Sequence, residues 1–568
     1  MLTGYPNIDK PWTKYYTDNA INSVIPDKTL FDYIYGNNKE FPDSIAIDYY
    51  GTKITYRDLM MQSHQYAFAF HDMGIRTGDI VTIMSMNTPE TIFSLLGLNY
   101  IGAVANLIYI TLTPQEIQRT VLETESKALI VLDAILQKID KITTNLSIPI
   151  FVLKLSESMP FFKKIAFGLK KRVTYDSNLS KYYDLNKLVK KQRGQCNSIH
   201  CSDKSAAAVI VYTSGSTGVP KGVVLSNYNI VSLIFQCSLS GKNYKRGETS
   251  LLYLPPFTGY GIVMLSLGMA LGIELYLWLN LEPKEIVTKF FKVRPNRIAA
   301  GISLVEPIMN HGCVKDMSWL IDYTGGGEGL PSDKERLFND FLTEHKSAAL
   351  YAAGYGMTES ASALCMQQNK VFKPGSIGIP LPKVNIRIRD TNSGDDLKEN
   401  QIGEMWFSAP NIMCGYYNNP VETKDAIETD SNGERWLRTG DLGRVDSDGF
   451  VFFEGRIKRI FLTRASDGTI LKLFPQQIAN LIESVDGVES CGVIVLPDKN
   501  SLNVAIAYVV LDNARRTNII EYLKKLSKQE LPEHMWPKDI LTIDRMPHTL
   551  SGKIDYQSLS EYYINAHL

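Results

Sequence analysis

Neither sign of charge prevails in this chain: sixty Lys and Arg stand against sixty Asp and Glu, a formal net charge of zero over 568 residues. With no basic surplus there is no counterion release to drive binding to a phosphate backbone, which excludes nucleic acid as the main partner. Cysteine is scarce as well. The seven residues, an odd number and widely scattered, exclude a disulfide scaffold and predict a reducing, cytoplasmic setting. Cys196, His200 and Cys201 lie close together in sequence, but three ligands with no fourth nearby predict incidental loop residues rather than a zinc site. The opening MLTGYPNIDKPWTKYY lacks both a basic region and an apolar core, so no secretory signal is expected. Long apolar runs are nearly absent too. Gly259 to Asn280 approaches the length of a membrane span, yet Gly272 and Glu274 divide it, which predicts a buried helix followed by a core strand.

What is present is the composition of a globular protein, 44% hydrophobic and 21% charged. The chain is too long for one core and is expected to divide into at least two domains. Between residues 45 and 135, apolar strands alternate with helical segments: Ile80 to Met84, then Thr91 to Leu98, then Val104 to Ile110. This rhythm predicts an α/β fold with mostly parallel sheets and helices on their faces. Met159 to Arg172, MPFFKKIAFGLKKR, mixes aromatic and aliphatic residues with five basic ones. It fits a helix resting weakly on an anionic membrane surface, although such a stretch is more often a solvated helix with one packed face.

The chemistry centres on Tyr212 to Val223, YTSGSTGVPKGV, which follows an apolar run that reads as a buried strand. Glycines 215, 218 and 222 permit positive φ and close approach of a ligand to backbone N–H groups. Thr213, Ser214, Ser216 and Thr217 add hydroxyls, Lys221 a fixed positive charge, and Pro220 a stiff exit. Gly222 stands where a Walker loop needs Ser or Thr to hold magnesium, so the segment is not of that type. In register, YTSGSTGVPKGV is similar to the phosphate loop of the adenylate-forming superfamily, which comprises acyl-CoA synthetases, peptide-synthetase adenylation domains and luciferases.

That resemblance extends along the chain. TYRDL, GIRTGD and NTPE in the first hundred residues match early scaffold landmarks. Tyr323 to Pro331, YTGGGEGLP, resembles the glycine-rich segment that passes the adenine. It implies nucleotide contacts at Gly326, Gly327 and Glu328, with Gly325 at the acyl pocket. GYGMTES, from Gly354 to Ser360, implies that Tyr355 covers the adenine beside Gly356, that Thr358 bonds a phosphate, and that Glu359 holds Mg²⁺. From Gly403 to Lys458 the family blocks GEMWF, GYYNNPVET, WLRTGDLG, DSDGF and EGRIKRI follow in order. There Asp441 is suited to the two ribose hydroxyls and Arg456 to ribose or phosphate.

The resemblance further implies two domains. Residues 1–457 would bind ATP and the acid, and residues 458–568 would form a small mobile α+β lid turning on a hinge at Lys458. In PHTLSGKIDY near the end of the lid, Lys553 is the implied movable catalytic cation, acting with Lys221, Thr358 and Glu359. Departures accompany this. Ala465 to Pro475 is longer than the usual glycine loop, and Gln477 stands where relatives carry glutamate. Leu254 to Gly261, LPPFTGYG, lacks the histidine frequent in the family, and also the aspartate that amino-acid-activating relatives use to pair the substrate ammonium. A carboxylic acid without an α-amine is therefore implied, in a pocket near Phe257, Tyr260, Gly261, Gly301 and Gly325.

The implied reaction is ATP-dependent formation of acyl-AMP and pyrophosphate, then transfer to CoA as a thioester. The alternatives are loading of a phosphopantetheine carrier protein, a non-catalytic nucleotide-binding relative, and a luciferase-like oxygenase. With fifteen residues after Lys553, no carrier domain is expected within this chain.

Overall fold

The structure, a computed structural model, describes residues 2–142, 145–170, 182–192, 199–213, 220–312, 316–327, 329–368, 370–459, 461–465, 467–511, 519–547 and 554–567. It is a mixed α/β chain with two large sheets rich in parallel strands and a small C-terminal α+β unit. Among the described residues, one sheet has eight strands. In spatial order they are Gly415–Tyr416, Lys221–Ser226, Ala207–Thr213, Val104–Leu107, Ile80–Met84, Ala128–Leu132, Ile150–Leu153 and Tyr182–Asp184. Its centre is parallel, while Ala207–Thr213 and Lys221–Ser226 form an antiparallel hairpin. The strands are runs such as IVTIM and ALIVL, branched and buried on both faces, as a covered parallel sheet requires.

A second, nine-stranded sheet carries Ile45–Tyr49, Glu274–Leu277, Thr249–Leu252, Arg297–Ala300, Asp322–Gly325 and Tyr351–Tyr355 as parallel neighbours. The helix Pro89–Tyr100 is buried along its whole length. Thr88 caps it by accepting from Thr91 N–H, and Pro89 sits in the first turn, where its missing N–H costs nothing. Gly259–Ala270 is apolar all round and buried, capped by Thr258 accepting from Gly261 N–H, and Glu274–Leu277 follows as a strand. The predicted helix-then-strand division of that apolar stretch is thus what the chain adopts. No helix among the described residues is long and apolar enough to cross a membrane.

A third, antiparallel sheet holds Asn385–Arg389, Gly403–Ser408, Arg435–Val445, Ile427–Thr429 and Val451–Arg456. Beyond it, Val488–Asp498 and Leu502–Leu511 pair antiparallel and Asp539–Thr542 joins in parallel. Pro475–Glu483 and Ile519–Glu530 cover one face through Ile478, Ile482 and Leu523. Leu559 and Met546 cover the other through Ile506 and Tyr508. This unit therefore has a core of its own.

One buried carboxylate carries a measurable consequence. Glu90, in the first turn of Pro89–Tyr100, is 2% exposed. Its Oε1 accepts from the Ser158 hydroxyl, and its Oε2 has no hydrogen-bond partner among the described residues. Burial pushes its carboxyl up to about 7, with Ser158 and Lys164 pulling the other way and Glu157 adding to the rise. Because the folded value lies above the unfolded one, the native state holds a proton that the unfolded chain has already lost. Stability therefore falls as pH rises from about 4.5 to 7, by about 3 kcal/mol in all. In Glu90→Gln that loss should vanish. Thermal melts at about pH 5 and about pH 8 are expected to show the variant gaining on the wild type at the higher pH. An equal difference at both would contradict the assignment.

Candidate active site

The strand Ala207–Thr213 turns back as Lys221–Ser226, with Thr213 opposite Lys221 and Tyr212 opposite Gly222. Ser214, Gly215, Ser216, Thr217 and Gly218 lie outside the described residues. Gly222 corrects an expectation. It lies within the second strand without a positive φ, and a side chain there would press on Ile210 Cγ2 at 3.0 Å. Packing between the two strands explains this glycine, not a left-handed turn. Lys221 also differs from a fixed charge open to phosphate. Its ammonium pairs with the Glu422 carboxylate and lies 5.0 Å above the Tyr416 ring. An incoming polyphosphate must compete with Glu422 for it.

From Lys221 a line of contacts runs through the other predicted groups. The Tyr416 hydroxyl donates to Glu359 Oε1 at 2.8 Å. Burial raises that phenol, and Glu359 raises it further. Glu359 is buried, and its carbonyl accepts from Met413 N–H. Its neighbour Thr358 begins the short turn Thr358–Ser360, which packs against both strands of the hairpin. A Cβ on Gly259 would meet Thr358 Oγ1 at 3.1 Å, so this glycine lets the turn settle on the start of Gly259–Ala270.

The next residue of that helix, Tyr260, donates from its hydroxyl to Thr324 O at 3.2 Å. Its ring lies 3.2 Å from where a Cβ of Gly326 would stand. At Gly325 a Cβ would come within 2.3 Å of the Tyr351 hydroxyl. The missing side chains at 325 and 326 were expected to admit a ligand to the backbone. In the structure two tyrosines of the chain itself occupy that space. Gly327, with φ +97° and open space beside it, keeps the freedom expected of the whole segment. Glu328 lies outside the described residues.

The remaining pocket candidates are placed by similar contacts. Phe257 is buried, its ring centroid 5.1 Å from that of Tyr109, whose hydroxyl donates to Tyr212 O at the base of the hairpin. Gly301 N–H donates to the Tyr253 hydroxyl at 3.3 Å. A side chain on Gly261 would strike Pro255 O, so local packing accounts for this glycine.

The nucleoside candidates gather where two sheets meet. Tyr355 ends its strand with its ring 5.8 Å from Phe407 and 6.4 Å from Phe453. Its hydroxyl donates to Asp441 Oδ2 at 2.8 Å, and Arg456 Nε lies 3.4 Å from Asp441 Oδ1. Burial, then Asp441, push the Tyr355 phenol well up. A Cβ on Gly356 would collide with Ser362 O, which fixes the tight return of the chain after Tyr355. Lys458 lies in the turn Ile457–Arg459, directly after Arg456. Arg459 reaches past it into the C-terminal unit, its guanidinium 3.5 Å above the Tyr556 ring. Lys553 lies outside the described residues.

Beneath the glycine segment sits a buried ionic group with no expected counterpart. Lys242, its side chain 3% exposed, donates to Asp322 Oδ1 at 2.6 Å and to Thr324 Oγ1 at 2.5 Å. Arg297 bridges Glu248 at 2.6 Å and Asp322 at 3.3 Å. Burial alone would raise the Asp322 carboxyl, but Lys242 and Arg297 outweigh it and hold it below the usual range. Among the described residues no cluster of His, Cys, Asp and Glu suits a protein-held metal. His200 instead pairs with Asp32.

The Lys221 hairpin with Tyr416 and Glu359, and the Tyr355–Asp441–Arg456 group, are thus two sets of contacts within one mixed α/β chain. The chain belongs to the AMP-binding enzyme family. The family profile matches residues 35–417, and that of the AMP-binding enzyme C-terminal domain matches residues 477–553. It is similar to a long-chain-fatty-acid–CoA ligase of Bacillus subtilis (strain 168), 26% identical over 566 residues, covering 97% of this chain and 98% of the relative. It is similar also to 4-coumarate–CoA ligase 1 of Arabidopsis thaliana, 25% identical over 559 residues, covering 95% and 94%. Among solved structures, ATP-bound MatB from Rhodopseudomonas palustris shares the fold, with a TM-score of 0.78 at 21% identity over 95% of this chain and 99% of that one.

Proposed function

We infer that the protein activates a carboxylic acid lacking an α-amine as its acyl adenylate and then passes the acyl group to CoA. The observation that carries this reading is the line of contacts from Lys221 through Tyr416 to Glu359, whose neighbour Thr358 packs on Gly259 beside Tyr260, together with the Tyr355–Asp441–Arg456 group. A triphosphate over the hairpin would meet Thr213 and Lys221. The adenine would lie against Tyr355 and the ribose against Asp441 and Arg456. Magnesium entering with ATP would find in Glu359 an oxygen ligand of the hard type it prefers, and would neutralise phosphate charge.

A carboxylate oxygen attacks the α-phosphorus, the bond to the β-phosphate bridging oxygen breaks, and pyrophosphate leaves. Lys553, brought in by rotation of residues 458–568 about Lys458, would offset the repulsion between the two anions. In the second step the CoA sulfur attacks the acyl carbon and AMP departs. The named activities of the Bacillus and Arabidopsis relatives support CoA as acceptor. The missing aspartate between Leu254 and Gly261 supports an acid without an ammonium, because a buried unpaired ammonium is costly. The extended segment at 465–475 and Gln477 favour keeping a carrier protein as the second acceptor.

A panel of alkyl, aryl and α-amino acids, scored for AMP release and for CoA thioester, tests the reading. AMP and thioester are expected together for alkyl or aryl acids, with no response to α-amino acids. AMP release dependent on an α-amino acid would contradict the assigned substrate class. Adenylate formed without thioester would move the acceptor to a carrier protein.

A further inference from the structure

Three segments distant in sequence meet on the outside of the nine-stranded sheet. The helix Phe161–Lys170 begins with Phe161 and Phe162, 70% and 85% exposed, and Ile165 is exposed one turn on. Lys163 donates to Tyr50 O and lies 5.6 Å above the Tyr50 ring, at the turn that follows the strand Ile45–Tyr49. The Tyr50 ring is 5.6 Å from Trp278, and Lys289 lies 5.1 Å above that indole. Leu281 is exposed beside them. Burial, together with the nearby positive charges of Lys292 and Lys163, lowers the Lys289 amine, and Asp48 opposes this.

Among the described residues Lys163, Lys289 and Lys292 make no ion pair. With Lys284 they stand against the largely buried Asp48 and two exposed carboxylates, Glu282 and Glu285, while Glu157 is already shared by Lys164 and Lys190, which leaves an excess of positive charge. The face is thus positively charged, with phenyl rings projecting beyond a tyrosine–tryptophan base. The two phenyl rings lie edge-on to each other, 5.8 Å apart, and otherwise project into water. A basic rim around them suits an anionic interface into which such rings insert, with amphipathic tyrosine and tryptophan at headgroup level.

The location fits as well. The strands ending before Tyr50, Trp278, Tyr253, Gly301 and Gly326 are parallel neighbours, so all five residues lie along one edge of the sheet. The basic aromatic face and the acyl-pocket candidates therefore share that edge.

We propose that this face, made by Phe161, Phe162, Ile165, Tyr50, Trp278, Lys163, Lys289 and Lys292, docks the protein on anionic lipid surfaces. Docking does not depend on the inferred reaction, and its test requires no turnover. The full-length protein is co-sedimented with phosphatidylcholine vesicles, with and without phosphatidylglycerol. Binding is expected to the phosphatidylglycerol vesicles, with far less to phosphatidylcholine alone, and to weaken as salt is added. Phe161→Ser/Phe162→Ser is expected to lower partitioning by at least ~10-fold. Lys163→Gln/Lys289→Gln/Lys292→Gln is expected to lower it by ~10-fold or more. Circular dichroism verifies that each variant stays folded. No binding by the wild type, equal binding to both vesicle types, or unchanged binding by either folded variant would overturn the proposal.

Discussion

Replacing Lys553 with alanine is expected to slow acyl-AMP formation by ~10²- to 10³-fold, the usual cost of removing one preorganised charge donor from a reacting centre. Supplied acyl-AMP should still be consumed by CoA at close to the wild-type rate. The two half-reactions differ in their electrostatics. In the first, a carboxylate must approach an α-phosphate, and one mobile ammonium can bridge both anions as charge moves from one to the other. In the second, a sulfur nucleophile attacks a mixed anhydride, and the charge to be stabilised lies elsewhere. Rapid-quench measurement of each half-reaction separates them. Equal loss in both would contradict the assigned role and point to a general defect in folding or nucleotide binding.

Lys242→Met should have the largest effect on stability, a loss of ~3–5 kcal/mol. The ammonium is enclosed between Asp322 and Thr324, and its removal leaves Asp322 buried with the more distant guanidinium of Arg297 and the Thr324 hydroxyl, each 3.3 Å away, in place of the close ammonium. Urea denaturation reads the loss as a lower midpoint at constant slope. Removing both charges in Lys242→Met/Asp322→Leu should recover much of it, because the unpaired carboxylate is then gone and Arg297 retains Glu248. A single-variant loss below about 1 kcal/mol would place the pair among weakly coupled surface bridges. Thr324 precedes Gly325 and its carbonyl accepts from Tyr260, so the pair also anchors the glycine segment.

Much of this architecture was legible because its signals are local. Ile80–Met84 is a run of branched residues between turn formers and is a strand at those same bounds. Gly272 divides the long apolar stretch because its φ of +75° ends the helix where other residues would be strained. In the C-terminal unit the helices Pro475–Glu483 and Ile519–Glu530 fall where apolar residues recur at helical spacing, and the strand Leu502–Leu511 on a continuous apolar run.

The site was legible only in part, since motifs name residues but not their partners. Tyr416 and Glu422 stand inside GYYNNPVET, yet their contacts with Glu359 and Lys221 join positions far apart in the chain. No linear pattern marks Tyr351, whose phenol lies over Gly325 because the two strands pair in parallel register. Lys242, Arg297, Glu248 and Asp322 likewise look like four ordinary surface charges until the sheet brings them together. Glycines mislead for the same reason. At 222, 261, 325 and 326 the absent side chain is explained by another part of this chain, which sequence alone cannot distinguish from room for a ligand.

Carboxylate-dependent exchange of labelled pyrophosphate into ATP tests the central claim most directly, because it reads reversible adenylate formation without requiring knowledge of the acceptor. Exchange is expected with at least one alkyl or aryl acid, dependent on magnesium and lost in Lys553→Ala. ATP binding without exchange across the whole acid panel would contradict the claim and leave a nucleotide-binding protein that does not activate acids.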